Sequence, residues 1–554
     1  MKRGVSILDW LEHSIVVRSG GVPLELLSHL LEYKNSMNLS FHELTDHVGP
    51  IAKCGWSVLK KYGRRDKPDV EGYDVCAKRY FPELEYTLQT GETVRFFSTP
   101  KSGADAERGS MLYHASLWKD GIEIVPSEHF LEHFSASFPS TKFVHPLKKF
   151  DECFANALAN VVEHSSPGAS MVLGPDNGQI IKNQLPFLQM IVFERLIRIS
   201  STPWEEMKHF SSIECVEGGY VDVVTLFIKA EVLKWSKMYD KKTGKPLPYP
   251  RYRLISNVSL VDQIIARMLH TVQNKTEIKG FDLLSSMPGF GCSSDLSVNR
   301  FAAATILHAA RRQLLPKDHE DYLDFRCIDF QAWDWSVKYW QLMVDAYRRR
   351  HCCNFSDDLL ILKTHFLMAN NVFCLSNGEL WCQTKKGLMK SGWFNTSSSN
   401  SAIRASLSKI FFGLAHWVIA MGDDSGEDDH KDIDLFCEWI NQIVGQTIPE
   451  DDRLKCSNGA FEFCSHVFLT EFSDSEWSCK AVILTWIRCI AKFAYSPKKS
   501  ADQIIGILNA MRHSPHLERA KHYFSTEYPD LYRAAWAVMS TIGFDGSAYS
   551  VPFQ

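Results

Sequence analysis

Neither sign of charge dominates this sequence: 61 Lys and Arg stand against 65 Asp and Glu over 554 residues, a net charge of −4. A nucleic-acid partner cannot be argued from the total, so any basic footprint must be local. Long apolar runs are missing too. The longest, around Ile410 to Met421, is broken by Gly413 and His416 and is too short to span a bilayer, so an integral membrane protein is not expected. The opening MKRGVSILDWLEHSIVV carries Asp9 and Glu12 within its apolar part, which argues against a secretory signal. No Cys-x-x-Cys pair occurs among the 15 cysteines. Zinc-ribbon spacing is thus absent, and the scattered thiols suit a reducing compartment as small buried apolar groups. There is no internal repeat and no low-complexity tract, and PGFGCSSD at 288–295 lacks the third glycine of a dinucleotide fingerprint. What remains is a globular composition, 45% apolar, 23% charged and 12% aromatic, long enough for three or four lobes.

The first 145 residues mix a helical pattern, GGVPLELLSHLLEYKNSM, with a strand pair in EYTLQTGETVRFFS turned at Thr90-Gly91. The basic cluster Lys60, Lys61, Arg64, Arg65 and Lys67 reads as a solvated face before it reads as an RNA contact. His129 and His133 lie four apart, as helical metal ligands would, but with no third ligand they suit a surface helix. The last 80 residues return to helical periodicity, in SADQIIGILNAMRHS and DLYRAAWAVMSTI, and predict a helical cap.

Two carboxylates follow directly on an apolar stretch in HWVIAMGDDSGED, residues 416–428. Adjacent acids repel, and acids closing a buried strand need a partner. A calcium loop is excluded: counting from Asp423, position six is Asp428 and position twelve Asp434, where an EF-hand needs Gly and Glu. Gly422 and Gly426 permit a tight turn with Asp423 and Asp424 at its tip. The further acids, Glu427 to Asp434, read as a solvated run. Alone, a Gly-Asp-Asp tripeptide is weak, since roughly one chain in ten of this length carries one.

A second acidic element stands in DYLDFRCIDFQAWDWSVKYW. It predicts a strand from Tyr322 with Leu323, Phe325 and Cys327 on one face and Asp329 at its end. A helix follows from about Asp334, with Val337, Trp340, Val344 and Tyr347 packing inward. If that strand lies beside the hairpin, Asp329 and Asp423 converge, and such a pair can hold two hard cations about 3.5–4 Å apart. Mg²⁺ suits carboxylates combined with phosphate oxygens. The third element is KSGWFNTSSSNSAIRASLSKIFFGLAHW, whose second half is an amphipathic helix with Ile403, Leu407, Ile410, Phe411 and Leu414 on one stripe. Thr396, Asn400 and Arg404, four apart, share a polar face that could read a ribose and its neighbours. The alternative is a capped helix end with solvated polar residues.

Together, Asp329-x4-Asp334, Ser391-Gly392-x3-Thr396-x3-Asn400 and Gly422-Asp423-Asp424 resemble, in order, the palm of viral RNA-directed RNA polymerases. FEFCSH (461–466), RYRLISNVSLVDQIIARML (251–269) and SSPGAS (165–170) resemble elements of the sobemovirus-like and polerovirus-like plus-strand group. The resemblance covers about 165–475. It implies an α+β right-hand polymerase fold of fingers, palm and thumb, with an antiparallel palm sheet flanked by helices. The implied division is 1–145 as an N-terminal extension bridging fingers and thumb and 146–320 as fingers with part of the palm. Residues 321–470 would be palm, with a fingers insertion near 355–390, and 471–554 thumb.

The resemblance further implies Asp329 and Asp423 as metal ligands, the Phe330 carbonyl as a further oxygen, and Asp424 as a supporting acid. The implied cofactor is two Mg²⁺ ions, with Mn²⁺ as a substitute. Asp334 and Asn400 would sense the 2′-hydroxyl, with Thr396 helping to position them. A 2′-hydroxyl both donates and accepts, so a carboxylate–amide pair can bind it. The segment 229–253 holds eight Lys or Arg against two acids. From it, Lys229, Arg251 and Arg253 would neutralise the incoming triphosphate; Lys241, Lys242 and Lys245 sit in a Gly/Pro-rich insertion and match less well. Lys455 falls where the family has a lysine that protonates pyrophosphate. Ser391 and Gly392 would open a loop touching the template and nascent pair. Ser166, Pro167 and Gly168 match the loop where template enters, although Ala169-Ser170 departs from the commoner Val-Pro. Cys464, Ser465 and His466 would grip the primer end, or serve as a core cysteine and a structural histidine.

The implied activity is RNA-templated RNA synthesis from NTPs, for replication and transcription of a viral RNA genome. Implied partners are template and nascent RNA, NTPs, other viral replicase proteins and a genome-linked protein primer. The implied location is the host cytoplasm, in complexes held to membranes by partners. A reverse transcriptase would instead place an aromatic where Gly422 sits and bulk at Asp334. An inactive RNA-binding replicase subunit would have lost Asp329, Asp423 and Asp424. No Gly-x-Ser-Gly protease motif occurs.

Overall fold

The computed structural model describes residues 44–541 except 45, 57–73, 89, 100–102, 171–173, 241–242, 248–250, 293–294, 312–324, 354–358, 451–452, 456–459 and 474–475. The basic cluster at 60–67, the helical pattern at 20–37, Leu323, Lys241 and Lys242 lie outside these residues.

The acidic motifs meet on a four-stranded antiparallel sheet of Phe325–Ile328 (β1), Val418–Met421 (β2), Asp424–Asp428 (β3) and Arg453–Lys455 (β4), in spatial order β2-β3-β1-β4. Period-two alternation sorts β1. Phe325 and Cys327 face an aromatic cluster with Phe461, Phe463 and Phe468, while Ile328 joins the main core. Three helices are linked to it, Leu260–Lys279 (α1) and Tyr339–Cys352 (α2) through the third, Thr396–Phe412 (α3), which meets it directly. Helix α3 packs on β2 and on α2. Apolar Ile403 and Leu407 are fully buried, as the periodicity predicts.

The helix expected from Asp334 is two pieces, Trp333–Ser336 and α2, because Val337 and Lys338 are extended between them. Val337, Trp340 and Val344 are buried as expected, but Tyr347 is 41% exposed. The inward stripe runs through 340, 344 and 348, and the buried residue completing it is Arg348. Arg348 donates to Glu277 of α1 and to Asp345, and Arg349 donates to Asp345, so two cations offset two carboxylates among fully buried side chains. Desolvated charges persist only when paired in this way.

A six-stranded sheet assembles from remote segments, in the order His47–Val48, Ile51–Trp56, Glu379–Gln383, Val372–Cys374, Val224–Ile228 and Leu254–Asn257. Further along the N-terminal segment, Ala77, Phe81 and Leu84 sit in the core of the C-terminal helices with Ile490, Tyr523 and Phe524. The strand pair expected around Thr90-Gly91 forms, Glu85–Thr87 against Thr93–Arg95. His129 and His133 are exposed on the helix Glu128–Ala136. The C-terminal part holds an antiparallel three-stranded sheet, Ala460–Phe463, His466–Ser473 and Glu476–Ile483, followed by four helices between Trp486 and Thr541. Among the described residues no cysteine is joined in a disulfide, and no helix is long and apolar enough to cross a membrane.

Candidate active site

Strand register brings the acids together. Met421 pairs with Asp424, leaving Gly422-Asp423 as a two-residue turn, with Gly422 at φ 69°, a conformation that favours glycine there. Ser425 pairs with Ile328, so the next residues outward, Asp424 and Asp329, stand across from one another. Asp423 faces Asp424 and Asp334 instead. Burial pushes Asp423 up to about 7, aided by the charges of Asp424 and Asp334, with Arg253 opposing. Burial likewise pushes Asp424 up to about 7, aided by Asp329 and Glu462. Carboxylates crowded in this way are held in a charged state only by a nearby cation. Glu462 carried no role in the sequence reading, although it lies within FEFCSH, and it adds a fifth acid to this cluster.

Helix α3 supplies the polar groups beside the acids. Asn400 Nδ2 donates to Asp334 Oδ1 at 2.9 Å, and the Asn400 Oδ1 is buried without a partner. Burial raises the Asp334 carboxyl, against hydrogen bonds from Asn400 and Ser391 and the charge of Arg253. Thr396 does not reach this pair: its hydroxyl donates to the Lys390 and Trp393 carbonyls, at 2.6 and 2.9 Å, and fixes the start of the helix. Arg404 corrects the expected ribose-reading stripe. It is wholly buried, bonded to Ser425 and Glu427 of β3. The acids from Glu427 onward are likewise not a uniformly solvated run, since Glu427 and Asp428 are buried. The stripe twists under the sheet, so its C-terminal member meets β3 rather than substrate space.

Lys229 and Arg253 come side by side, the Lys229 N–H donating to the Arg253 carbonyl at 2.9 Å, and both side chains are exposed. Arg253 lies within electrostatic reach of Asp334, Asp423 and Asp424. Arg251 points elsewhere, its guanidinium 5.5 Å from the Tyr113 ring centre. The Ser391–Gly392 and Ser166–Gly168 loops meet on one strand end. The Ser256 N–H donates to the Ser391 carbonyl at 2.9 Å, and Asn257 Nδ2 donates to Ser166 Oγ at 3.1 Å. The Leu260 N–H donates to the Pro167 carbonyl at 2.8 Å. Gly392 has φ 139°, and a Cβ there would fall 2.4 Å from the Ser256 carbonyl oxygen. Cys464 and Ser465, at φ 52° and 59°, form the turn between Phe463 and His466, and the Cys464 thiol bonds Asp424. Two non-glycine residues in left-handed conformations are uncommon, and such strain collects at functional turns. Lys455 ends β4 opposite Arg326, two residues further from the Asp329 end than Arg453; its side chain lies outside the described residues.

A sheet of this order, with carboxylates on a tight hairpin and on the end of the neighbouring strand, defines a right-hand polymerase. The same fold is found in the RNA-dependent RNA polymerase of a human picorbirnavirus, to which the chain is similar with a TM-score of 0.56 at 10% identity over 87% of each chain. Residues 201–435 match the family described as viral RNA-directed RNA-polymerase. It is 31% identical over 441 residues to Protein P1-P2 of Potato leafroll virus, covering 75% of this chain and 38% of that protein. It is 29% identical over 512 residues to the replicase polyprotein P2AB of Southern bean mosaic virus, covering 87% and 47%. Turnip yellows virus Protein P1-P2 is 32% identical over 456 residues, covering 77% and 41%. The polerovirus-like and sobemovirus-like resemblance is thus borne out, and the chain spans less than half the length of these relatives.

Proposed function

We propose that this chain copies RNA from an RNA template, joining ribonucleoside triphosphates to an RNA 3′-hydroxyl for replication and transcription of a viral RNA genome. The observation that carries the reading is the pairing of β1 with β3, which sets Asp329 across from Asp424 with Asp423 beside them. Among the described residues no group of three or more His, Cys, Asp or Glu is disposed to hold a metal by itself. That suits a site completed by substrate phosphate oxygens and water. Asp329 and Asp423 would be the principal ligands, with Asp424 and the Phe330 carbonyl in support. Two Mg²⁺ ions, or Mn²⁺ in their place, would when bound activate the attacking oxygen and neutralise the leaving phosphate.

The chain's own groups would do the rest. Arg253 and Lys229 draw the triphosphate toward the acids. Asp334 and the unpaired Asn400 Oδ1 take the 2′-hydroxyl, which can donate to either. Ser391-Gly392 and Ser166–Gly168 line the template, Cys464–His466 holds the primer end, and Lys455 would deliver a proton to pyrophosphate. In this reading the six-stranded sheet and its helices are fingers, the four-stranded sheet is palm and the C-terminal helices are thumb. The expected partners are template and nascent RNA, other replicase proteins and a genome-linked protein primer, in host-cytoplasm complexes held to membranes by those partners.

The test is incorporation of labelled NTPs against dNTPs on a primed RNA template with Mg²⁺ or Mn²⁺, for the wild-type chain and Asp423→Ala. Templated NTP incorporation lost in the variant is expected. Equal activity in the variant sinks the metal assignment, and a dNTP preference points to a reverse transcriptase.

A further inference from the structure

We infer that Arg404, paired with Glu427, is a positioning residue that holds the hairpin bearing Asp423 and Asp424 in register with the helix bearing Asn400. The inference rests on the polymerase reading above and deepens it. It stands on contacts made by three residues within one turn of α3. Asn400 donates to Asp334 at 2.9 Å. Ser401 Oγ accepts the Gly422 N–H of the turn at 2.9 Å. Arg404 donates to Ser425 Oγ and to the Glu427 carboxylate on β3, and to Ser408 Oγ at 2.8 Å on its own helix. The guanidinium carbon of Arg404 also lies 5.0 Å from the ring centre of Phe330, the residue after Asp329. One face of α3 therefore touches both acidic motifs.

Arg404 and Glu427 are both 0% exposed, and the second Glu427 oxygen meets His416 Nε2 at 3.1 Å. A buried pair of this kind adds little stability over apolar residues of equal volume, yet breaking it leaves an uncompensated charge. What it supplies is geometry. The planar guanidinium donates only along fixed directions, whereas an apolar contact would let the helix slide on the strand. The sugar-sensing amide and the carboxylates belong to segments about 23 residues apart in sequence, and productive transfer needs them placed to a fraction of an ångström. Ser401 and Arg404 are ties that set that spacing, beside a longer Ser397 Oγ–Met421 Sδ contact at 3.9 Å.

Arg404→Met alone would strand Glu427, so the full chain is tested as the neutral double variant Arg404→Met/Glu427→Gln, beside Ser401→Ala, which removes the other tie without touching a charge. Melting temperature, hydrogen exchange over residues 418–428, and kcat and KM for an NTP and its dNTP are measured. The expected result is a folded double variant with exchange over 418–428 roughly tenfold faster and exchange over 460–469 unchanged. Its kcat should fall at least about tenfold with KM altered less than about threefold, and NTP-over-dNTP discrimination should fall about fivefold. Ser401→Ala should move in the same direction by less. Wild-type exchange, kcat and discrimination in the folded double variant overturn the inference. If the double variant fails to fold, unchanged exchange and discrimination in Ser401→Ala overturn it. No templated synthesis by the wild-type chain would refute the polymerase reading instead, and the exchange measurement would still decide the tie.

Discussion

Asn400→Leu separates sugar recognition from the rest of the site. In the free chain Asn400 is 6% exposed, its amide nitrogen is spent on Asp334 at 2.9 Å, and its carbonyl oxygen has no partner. An unsatisfied buried acceptor costs about 1–3 kcal/mol, and a hydroxyl that donates to it recovers that cost. An NTP brings such a hydroxyl and a dNTP does not, so this one oxygen should favour the ribonucleotide by a factor of roughly 5 to 150 in kcat/KM. The carbonyl is covered in the free chain, so Asp334 and Asn400 must part slightly to admit the sugar. Leucine has similar volume and no acceptor to satisfy. In Asn400→Leu the NTP value should therefore fall by that factor, while the dNTP value changes less than about threefold. Stability should stay within about 1 kcal/mol, because the variant loses an unpaired acceptor but also removes a donor from Asp334. Single-nucleotide incorporation on a primed RNA template, with NTP and dNTP titrated separately, reads both numbers. Equal losses for the two substrates would refute the reasoning, since the amide would then be serving the helix rather than the sugar.

Asp423 and Asp424 are pushed up to about 7 from an ordinary 3.8, chiefly by burial. Stability tied to their neutral forms is then fully present below about pH 4 and lost as pH rises through 7. In EDTA the melting temperature should drop between pH 5.5 and 8, and Asp423→Asn should drop less; an equal or larger drop in the variant contradicts the crowding. Gly392→Ala should cost about 1–3 kcal/mol of loop strain, with weaker binding of a primed template by fluorescence anisotropy; wild-type affinity would show that the Ser256 contact yields. Arg348→Met leaves Glu277 short of a cation and should destabilise by about 3–5 kcal/mol, seen as a lower urea midpoint, and an unchanged midpoint would mean the network is not fixed as described.

The acidic motifs were legible because their chemistry is local. Asp329 ends a strand whose alternation can be counted, and Gly422 announces the turn that carries Asp423. Even the pairing of Asn400 with Asp334 follows from the helical period once the family is recognised. Thr396 shows the limit of that period: its position on the stripe was right, but its hydroxyl is spent on the Lys390 and Trp393 carbonyls. Periodicity assigns a residue to a face and says nothing of what lies opposite. Lys455 was placed by the family resemblance alone, and β4 runs so that Arg453, not Lys455, is nearer the acids.

The buried charges were illegible for a deeper reason. Arg348 meets Glu277 71 residues away and Arg404 meets Glu427 23 residues away, so neither pair leaves a short-range mark. Taken singly, each of these four residues reads as surface, because charged side chains are rarely buried unless paired. The pairs also cluster: Ser398 and Ser399 of α3 join Arg349, Asp345 and Glu277, one turn before Arg404 joins β3. Helix α3 is thus pinned from both sides by groups that tolerate only one arrangement, with Asn400 between the pins. An apolar seam would have been easier to stabilise and easier to read, but it would not have held the sugar sensor and the carboxylates at one spacing. The part of the sequence hardest to interpret is the part that fixes that spacing.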